Sequence, residues 1–138
     1  MRLLCLLVVS GAFAQVPDFT TDQQIKLYQE WVAQDASAPN RVLLASAYVQ
    51  KTRETTDFTY LERATKALEG VESSDAARLR NIVALTMHRF RSAADGARAL
   101  VAKNPNDVQS WGTLGDAALE MGRYQDARDA FATMLNLK

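Results

Sequence analysis

The feature that most constrains this chain is a recurrence of side-chain size. In WGTLGDAALEMGRYQDARDAF, residues 111–131, bulky side chains (Trp111, Leu114, Tyr124, Phe131) and small ones (Gly115, Ala118, Gly122, Ala127) stand at helical intervals. Laying residues 111–138 beneath 77–107 with a shift of 34 places Ala127 on Ala93, Tyr124 on Phe90 and Met134 on Leu100, and sets Pro105 against the position after Lys138. A period of this length marks a repeat architecture, in which one unit cannot bury its apolar face alone and must stack on a neighbour. Leu114, Ala118 and Met121 share one helical face before Gly122; Ala127, Phe131, Met134 and Leu135 share one after it. The pattern therefore asks for helix hairpins packed side by side.

The remaining segments read the same way. Thr20, Thr21 or Asp22 can cap a first helix carrying Ile25, Tyr28, Trp31 and Val32, which stops near Ala36 because Ser37-Ala38-Pro39 is turn-like. Val42, Leu43, Leu44, Ala47, Tyr48 and Val49 carry a second helix that ends in KTRETTD, and Leu61, Ala64, Ala67 and Leu68 a third, broken at Gly70. The fourth is expected from about Asp75 to Arg89, the fifth from Ser92 to Lys103, and the sixth and seventh on either side of Gly122. No segment alternates β-branched residues with period two, so the chain reads as all-α.

Residues 108–138 resemble the tetratricopeptide repeat. Trp111, Leu114, Gly115, Gly122, Tyr124, Ala127 and Phe131 occupy signature positions of that family, with Ala118 where a tyrosine is common. A middle unit, 74–107, keeps Ala93, Leu100 and Pro105 but carries Asn81 for the small first-helix residue and His88 for the turn glycine. A first unit, 38–73, keeps Leu44, Ala45, Tyr48, Ala64 and Ala67, and residues 15–37 combine a linker with the trailing helix of an incomplete leading unit. The resemblance implies a right-handed solenoid of antiparallel helix hairpins, with the first helix of each unit lining a concave groove. Three hairpins net only a few kcal/mol, about the margin of a small domain, once chain entropy is subtracted.

The first residues, MRLLCLLVVSGAFAQVPDFT, are not read as part of that stack. Arg2, the apolar run Leu3 to Val9, and small residues at Ala12 and Ala14 form an export signal, cut after Ala14. The apolar run falls well short of the ~20 residues that span a bilayer, so no integral membrane segment is expected after cleavage. Cleavage also removes Cys5, leaving a mature chain free of cysteine in a periplasmic or extracellular compartment. With 16 basic and 16 acidic side chains the formal charge is zero, which provides no field for nucleic acid or anionic lipid.

Nothing in the sequence assembles a catalytic centre. His88 is the only histidine and reads as a solvated helix-end residue; Ser73-Ser74-Asp75 reads as a helix cap; the glycines form no phosphate loop. Asp116 and Glu120, four apart, lack the further oxygens a hard cation needs. No cofactor, metal or enzymatic activity is expected. On the family pattern the groove positions fall on Val42, Ser46 and Val49, then Arg78, Ile82 and Leu85, then Gln109, Asp116, Leu119 and Glu120, apolar in the first two units and acidic in the third. That mixture suits an extended peptide or partner helix with apolar side chains and a basic group. A subgroup of the family clamps C-terminal carboxylates with Lys, Asn and Arg; here Val42, Ser46, Leu79, Gln109 and Thr113 stand at those positions, so the clamp is absent.

The expected function is thus a non-enzymatic scaffold that binds a protein or peptide outside the cytoplasm. Phe131, Met134 and Leu135 have no covering helix before Lys138, as in the N-terminal part of a longer chain or one that self-associates through its last helix. Two alternatives stay open: the repeat region of a larger exported enzyme such as a hydrolase, and a self-associating structural array.

Overall fold

The computed structural model describes residues 19–137; the expected signal peptide, 1–14, lies outside them. These residues form α1 (Thr21–Gln34), α2 (Ala38–Thr55), α3 (Thr59–Ala67), α4 (Ser74–Thr86), α5 (Phe90–Lys103), α6 (Val108–Glu120) and α7 (Tyr124–Asn136), with no strand among them.

The helix boundaries follow from local chemistry. Of the three candidate caps for α1, Thr20 is used: its hydroxyl accepts from the Gln23 N–H at 3.3 Å while the Gln23 side chain accepts from the Thr20 N–H at 2.9 Å, a reciprocal capping box. Ser73 and Asp107 cap α4 and α6 by accepting from the N–H groups of Ala76 and Ser110. Residue 38 opens α2 rather than a turn, because Pro39 sits in the first helical turn, where no N–H is needed. At the other ends, Thr56, Gly70, His88 and Gly122 adopt left-handed backbone with φ of 56°, 68°, 56° and 71°. His88 stops α4 at Thr86, three residues short of the expected end, and lets α5 start at Phe90.

The helices lie in two layers. Each packs on its chain neighbours, and in addition α2 touches α4 and α4 touches α6; α1, α3, α5 and α7 do not touch one another. Direct contact in one layer and separation in the other is the signature of a curved stack with α2, α4 and α6 on its inner side. The hairpins are α2–α3, α4–α5 and α6–α7, preceded by α1. Ile25, Leu44, Tyr48, Leu61, Leu68, Val71 and Val83 form the main core; a second, around Ala93, Ala94 and Ala117, is built of small residues packed against Leu85, Leu114 and Met121.

Size complementarity within hairpins is as expected in the last unit and inverted in the middle one. At Gly115 an added Cβ would lie 2.5 Å from the Phe131 ring, so α6 recedes and α7 fills the gap. In α4 and α5 the large group comes from the first helix: Asn81, at the position equivalent to Gly115, lies against Gly96, where a Cβ would stand 2.0 Å from its Oδ1. Ala97 stands where Phe131 does. The middle unit is not so much degenerate as packed from the other side.

Two guanidinium groups hold the short α3 in place. Arg41 from α2 donates to the Ala67 carbonyl at 2.8 Å and also to that of Glu69; Arg80 from α4 donates to those of Leu68 and Val71 at 3.1 and 3.0 Å. The carbonyls at a helix C-terminus lack intrahelical partners and carry partial negative charge, so cations there satisfy both needs. Arg80 occupies the position of Leu114, exchanging an apolar contact for a tie across the α3–α4 loop.

Candidate functional site

Three helices of the inner layer carry all ten residues expected to line the groove. Ser46, Gln109, Asp116, Leu119 and Glu120 are exposed, and Val42, Arg78, Ile82 and Leu85 are half-buried. Val49 is only 4% exposed and belongs to the main core, so it offers nothing to a partner. Ile82 leans on the same core and Leu85 on the second one.

Arg78 is already engaged. Its Nε donates to Asp107 Oδ2 at 2.8 Å and its Nη1 to Asp75 Oδ1 at 2.6 Å. Asp107 is buried at the start of α6 and also accepts from the Ser110 N–H and, at 2.8 Å, the Ser110 hydroxyl. Burial acts to raise the Asp107 carboxyl, but the hydrogen bonds from Ser110 and Arg78 outweigh it and hold it below the ordinary carboxylate range. This cluster fixes α6 against α4, which makes Arg78 a structural member of the groove wall rather than a free cation.

The candidates separate into two places. Val42, with Ala38, Pro39, Leu43, Ser73 and Asp75, borders a cleft of about 320 Å³ at the beginnings of α2 and α4. Leu85, Asp116, Leu119 and Glu120 meet in another, of about 290 Å³, with Thr86, His88 and Phe90. Here Leu85 lies in the last turn of α4, Phe90 begins α5, and Asp116, Leu119 and Glu120 project from α6. Leu119 is 48% exposed, a large apolar side chain left in water. Asp116 and Glu120 stand one helical turn apart and make no ion pair with a described cation. Partial burial, and then the Glu120 charge, push the Asp116 carboxyl above its ordinary value.

Sequence reasoning did not place Thr86, His88 and Phe90 here. His88 is exposed, as expected of a helix-end residue, and its ring also meets that of Phe90 edge to face with centroids 5.4 Å apart. The available signal was the 34-residue register, which sets His88 on Gly122: a left-handed turn that glycine makes without strain is made here by a side chain bordering the cleft. Among the described residues no group of three or more His, Cys, Asp or Glu could hold a metal ion, and no helix is long and apolar enough to cross a membrane.

The outer layer has clefts of its own. One of about 350 Å³ between α5 and α7 is floored by Trp111, Leu114, Ala118 and Met121, with Arg98, Arg123, Asp126 and Asp129 around it. Its charges balance, and Arg98 and Arg123 pair with Asp95 and Asp126.

Comparison with known proteins agrees with this geometry. Residues 97–129, from the middle of α5 to the middle of α7, match the family model of the tetratricopeptide repeat. No curated protein matches the chain significantly. Among solved structures, MamA residues 41 to the end from Desulfovibrio magneticus RS-1 superposes with a TM-score of 0.64 at 16% identity, covering 86% of this chain and 66% of that one. Another MamA crystal structure gives 0.61 at 19% identity, covering 85% and 68%. The chain thus spans just under two thirds of the first of these, and at such identities the likeness is one of fold. The chain therefore carries a match to the tetratricopeptide repeat over residues 97–129 and shares the helical-stack fold of these structures along 86% of its length.

Proposed function

We propose that this protein is an exported, non-catalytic scaffold that holds a protein or peptide against the inner layer formed by α2, α4 and α6. The observation that carries this reading is the surface of α6. Gln109, Asp116, Leu119 and Glu120 are exposed on it, and neither carboxylate makes an ion pair among the described residues. An apolar patch bordered by polar groups is what a protein interface offers. The chemistry on this face is hydrogen bonding, charge and apolar contact, and the His88 ring packs edge to face on Phe90. Export rests on the sequence of residues 1–14, with Arg2, the apolar run and Ala12-Phe13-Ala14.

The groove is tested by replacing Asp116 with Lys and Leu119 with Glu together, both exposed positions, and comparing capture of envelope proteins with that of wild type and of an outer-layer control, Glu62→Lys. Loss of a captured band in the first variant alone is expected; equal capture by all three refutes the groove. Export is tested by fusing residues 1–24 to alkaline phosphatase, which is active only where its disulfides form. An inactive fusion refutes that half of the proposal.

A further inference from the structure

The cleft bordered by α4, the α4–α5 turn and α6 has a composition that selects its occupant. Its apolar surface comes from three elements: Leu85 in α4, Phe90 at the start of α5 and Leu119 in α6. Its charge comes from one side only, where Asp116 and Glu120 stand at i and i+4 on α6, with side-chain origins about 5–6 Å apart. No lysine or arginine borders the cleft, and none of the described cations pairs with either carboxylate. A purely aliphatic occupant would bury two carboxylates without partners, and a small cation would leave Leu85, Phe90 and Leu119 in water. The occupant that satisfies both halves has an apolar stem and a cationic head.

Between the two side chains of that kind, the geometry favours the flat one. The guanidinium is planar, carries five N–H donors in a fixed fork that reaches two acceptors at once, and stacks on aromatic faces; the lysine ammonium is a compact point charge. The Phe90 and His88 rings supply aromatic surface at the cleft, and Asp116 and Glu120 supply two acceptors one turn apart. We infer that this cleft is a subsite for an arginine side chain of the bound partner, its methylenes lying on Leu85 and Leu119 and its guanidinium shared by Asp116 and Glu120. The inference rests on the groove reading above and specifies what one part of that groove recognises.

The test is a titration of the isotopically labelled, purified protein with N-acetyl-Leu-Arg-Leu-amide, followed by amide chemical shifts, alongside the same peptide with citrulline or lysine at the centre. The arginine peptide is expected to move the resonances of Leu85, Phe90, Asp116, Leu119 and Glu120 saturably. Citrulline, with the same shape and no charge, should bind at least about tenfold more weakly, the factor a hydrogen bond to a charged group contributes. Lysine should fall between them. The double variant Asp116→Asn, Glu120→Gln should bind the arginine and citrulline peptides alike, its unchanged shifts in α1 to α3 showing that the fold is intact. Equal binding of arginine and citrulline by the wild type, or shifts confined to the outer layer, overturns the assignment. The groove reading is decided separately by the capture experiment, which uses whole partners and no arginine peptide, so either can fail alone.

Discussion

The inverted packing of the middle hairpin predicts a specific energetic coupling between Asn81 and Gly96. Replacing a helical glycine by alanine ordinarily stabilises by about 0.8–1 kcal/mol through backbone entropy. At Gly96 the new Cβ would stand 2.0 Å from Asn81 Oδ1, 2.8 Å from Cγ and 3.0 Å from Nδ2, so the whole amide must retreat by roughly 1.5 Å to reach ordinary van der Waals distance. Asn81 is only 9% exposed and has little room to do so without parting α4 from α5. Overpacking of this kind costs about 1–3 kcal/mol, so Gly96→Ala should destabilise by up to ~2 kcal/mol despite its propensity gain. In an Asn81→Ala background the obstacle is gone, and the same substitution should stabilise by about 1 kcal/mol while refilling the gap. The cycle should show a coupling of about 1–3 kcal/mol, well above the ~0.5 kcal/mol within which independent sites add. Urea unfolding of the four proteins by far-UV circular dichroism reads it directly, with the slopes compared because repeat arrays can lose cooperativity. Additive behaviour, or a Gly96→Ala protein more stable than wild type, would refute the close approach of the two helices.

Four further outcomes follow from other contacts. Arg80→Met should lower stability by roughly 1.5–3 kcal/mol, because it removes the charged donor to the Leu68 and Val71 carbonyls; an unchanged urea midpoint would mean that water replaces it without loss. His88→Gly should raise stability by up to ~1 kcal/mol, and the urea midpoint with it, since the left-handed turn at φ 56° strains a side-chain-bearing residue, while weakening any partner that stacks on the ring; a lower midpoint would show that the His88–Phe90 contact outweighs the strain. Two of the perturbed carboxyls, Asp107 and Asp116, act with opposite signs against pH. Asp107, held below its ordinary value of 3.8, contributes stability that is complete above that pH and lost as pH falls through its folded value, so Asp107→Asn should flatten the acid limb of a stability profile. Asp116, held above 3.8, contributes stability at low pH that is lost as pH rises through its folded value, so Asp116→Asn should leave the protein no less stable at neutral pH; a marked loss there would contradict the crowding of that carboxyl.

The helices were legible because their causes are local. Periodic apolar residues, Thr20 and Ser73 as caps, and Gly70 and Gly122 as stops act within a turn or two of chain, and the reading from sequence found seven helices in the right order. It erred where one residue type serves two purposes. Pro39 opens a helix as readily as it marks a turn, and His88 in left-handed geometry ends α4 early, which a helical period running through Thr86 does not reveal. The complementarity of Asn81 with Gly96 was hidden for another reason: a signature compares each position with a consensus, whereas packing conserves the volume between two helices and is indifferent to which supplies it. For the same reason Val49, apolar and in register with the groove, could not be distinguished from a groove residue until the hairpin placed it in the core.

The acidic cleft sets a harder problem, since its residues depart from what the fold alone would favour. Gly122 shows that glycine makes the equivalent turn, yet His88 stands at the strained one; Leu119 is apolar where α6 meets water; Asp116 and Glu120 repel across a single turn with no described cation between them. Each choice works against the stability of the isolated chain, and such conflicts between local preference and fold concentrate at sites that do something else. Scattered over the surface they would be unremarkable, since exposed leucines and unpaired carboxylates are common on folded proteins. Gathered around one cleft on the inner layer they share an explanation, because a single cationic, partly apolar side chain would relieve the charge repulsion and the exposed leucine together. The cleft between α5 and α7 provides a contrast: its cations, Arg98 and Arg123, already have carboxylates of their own, and no occupant is needed to complete them.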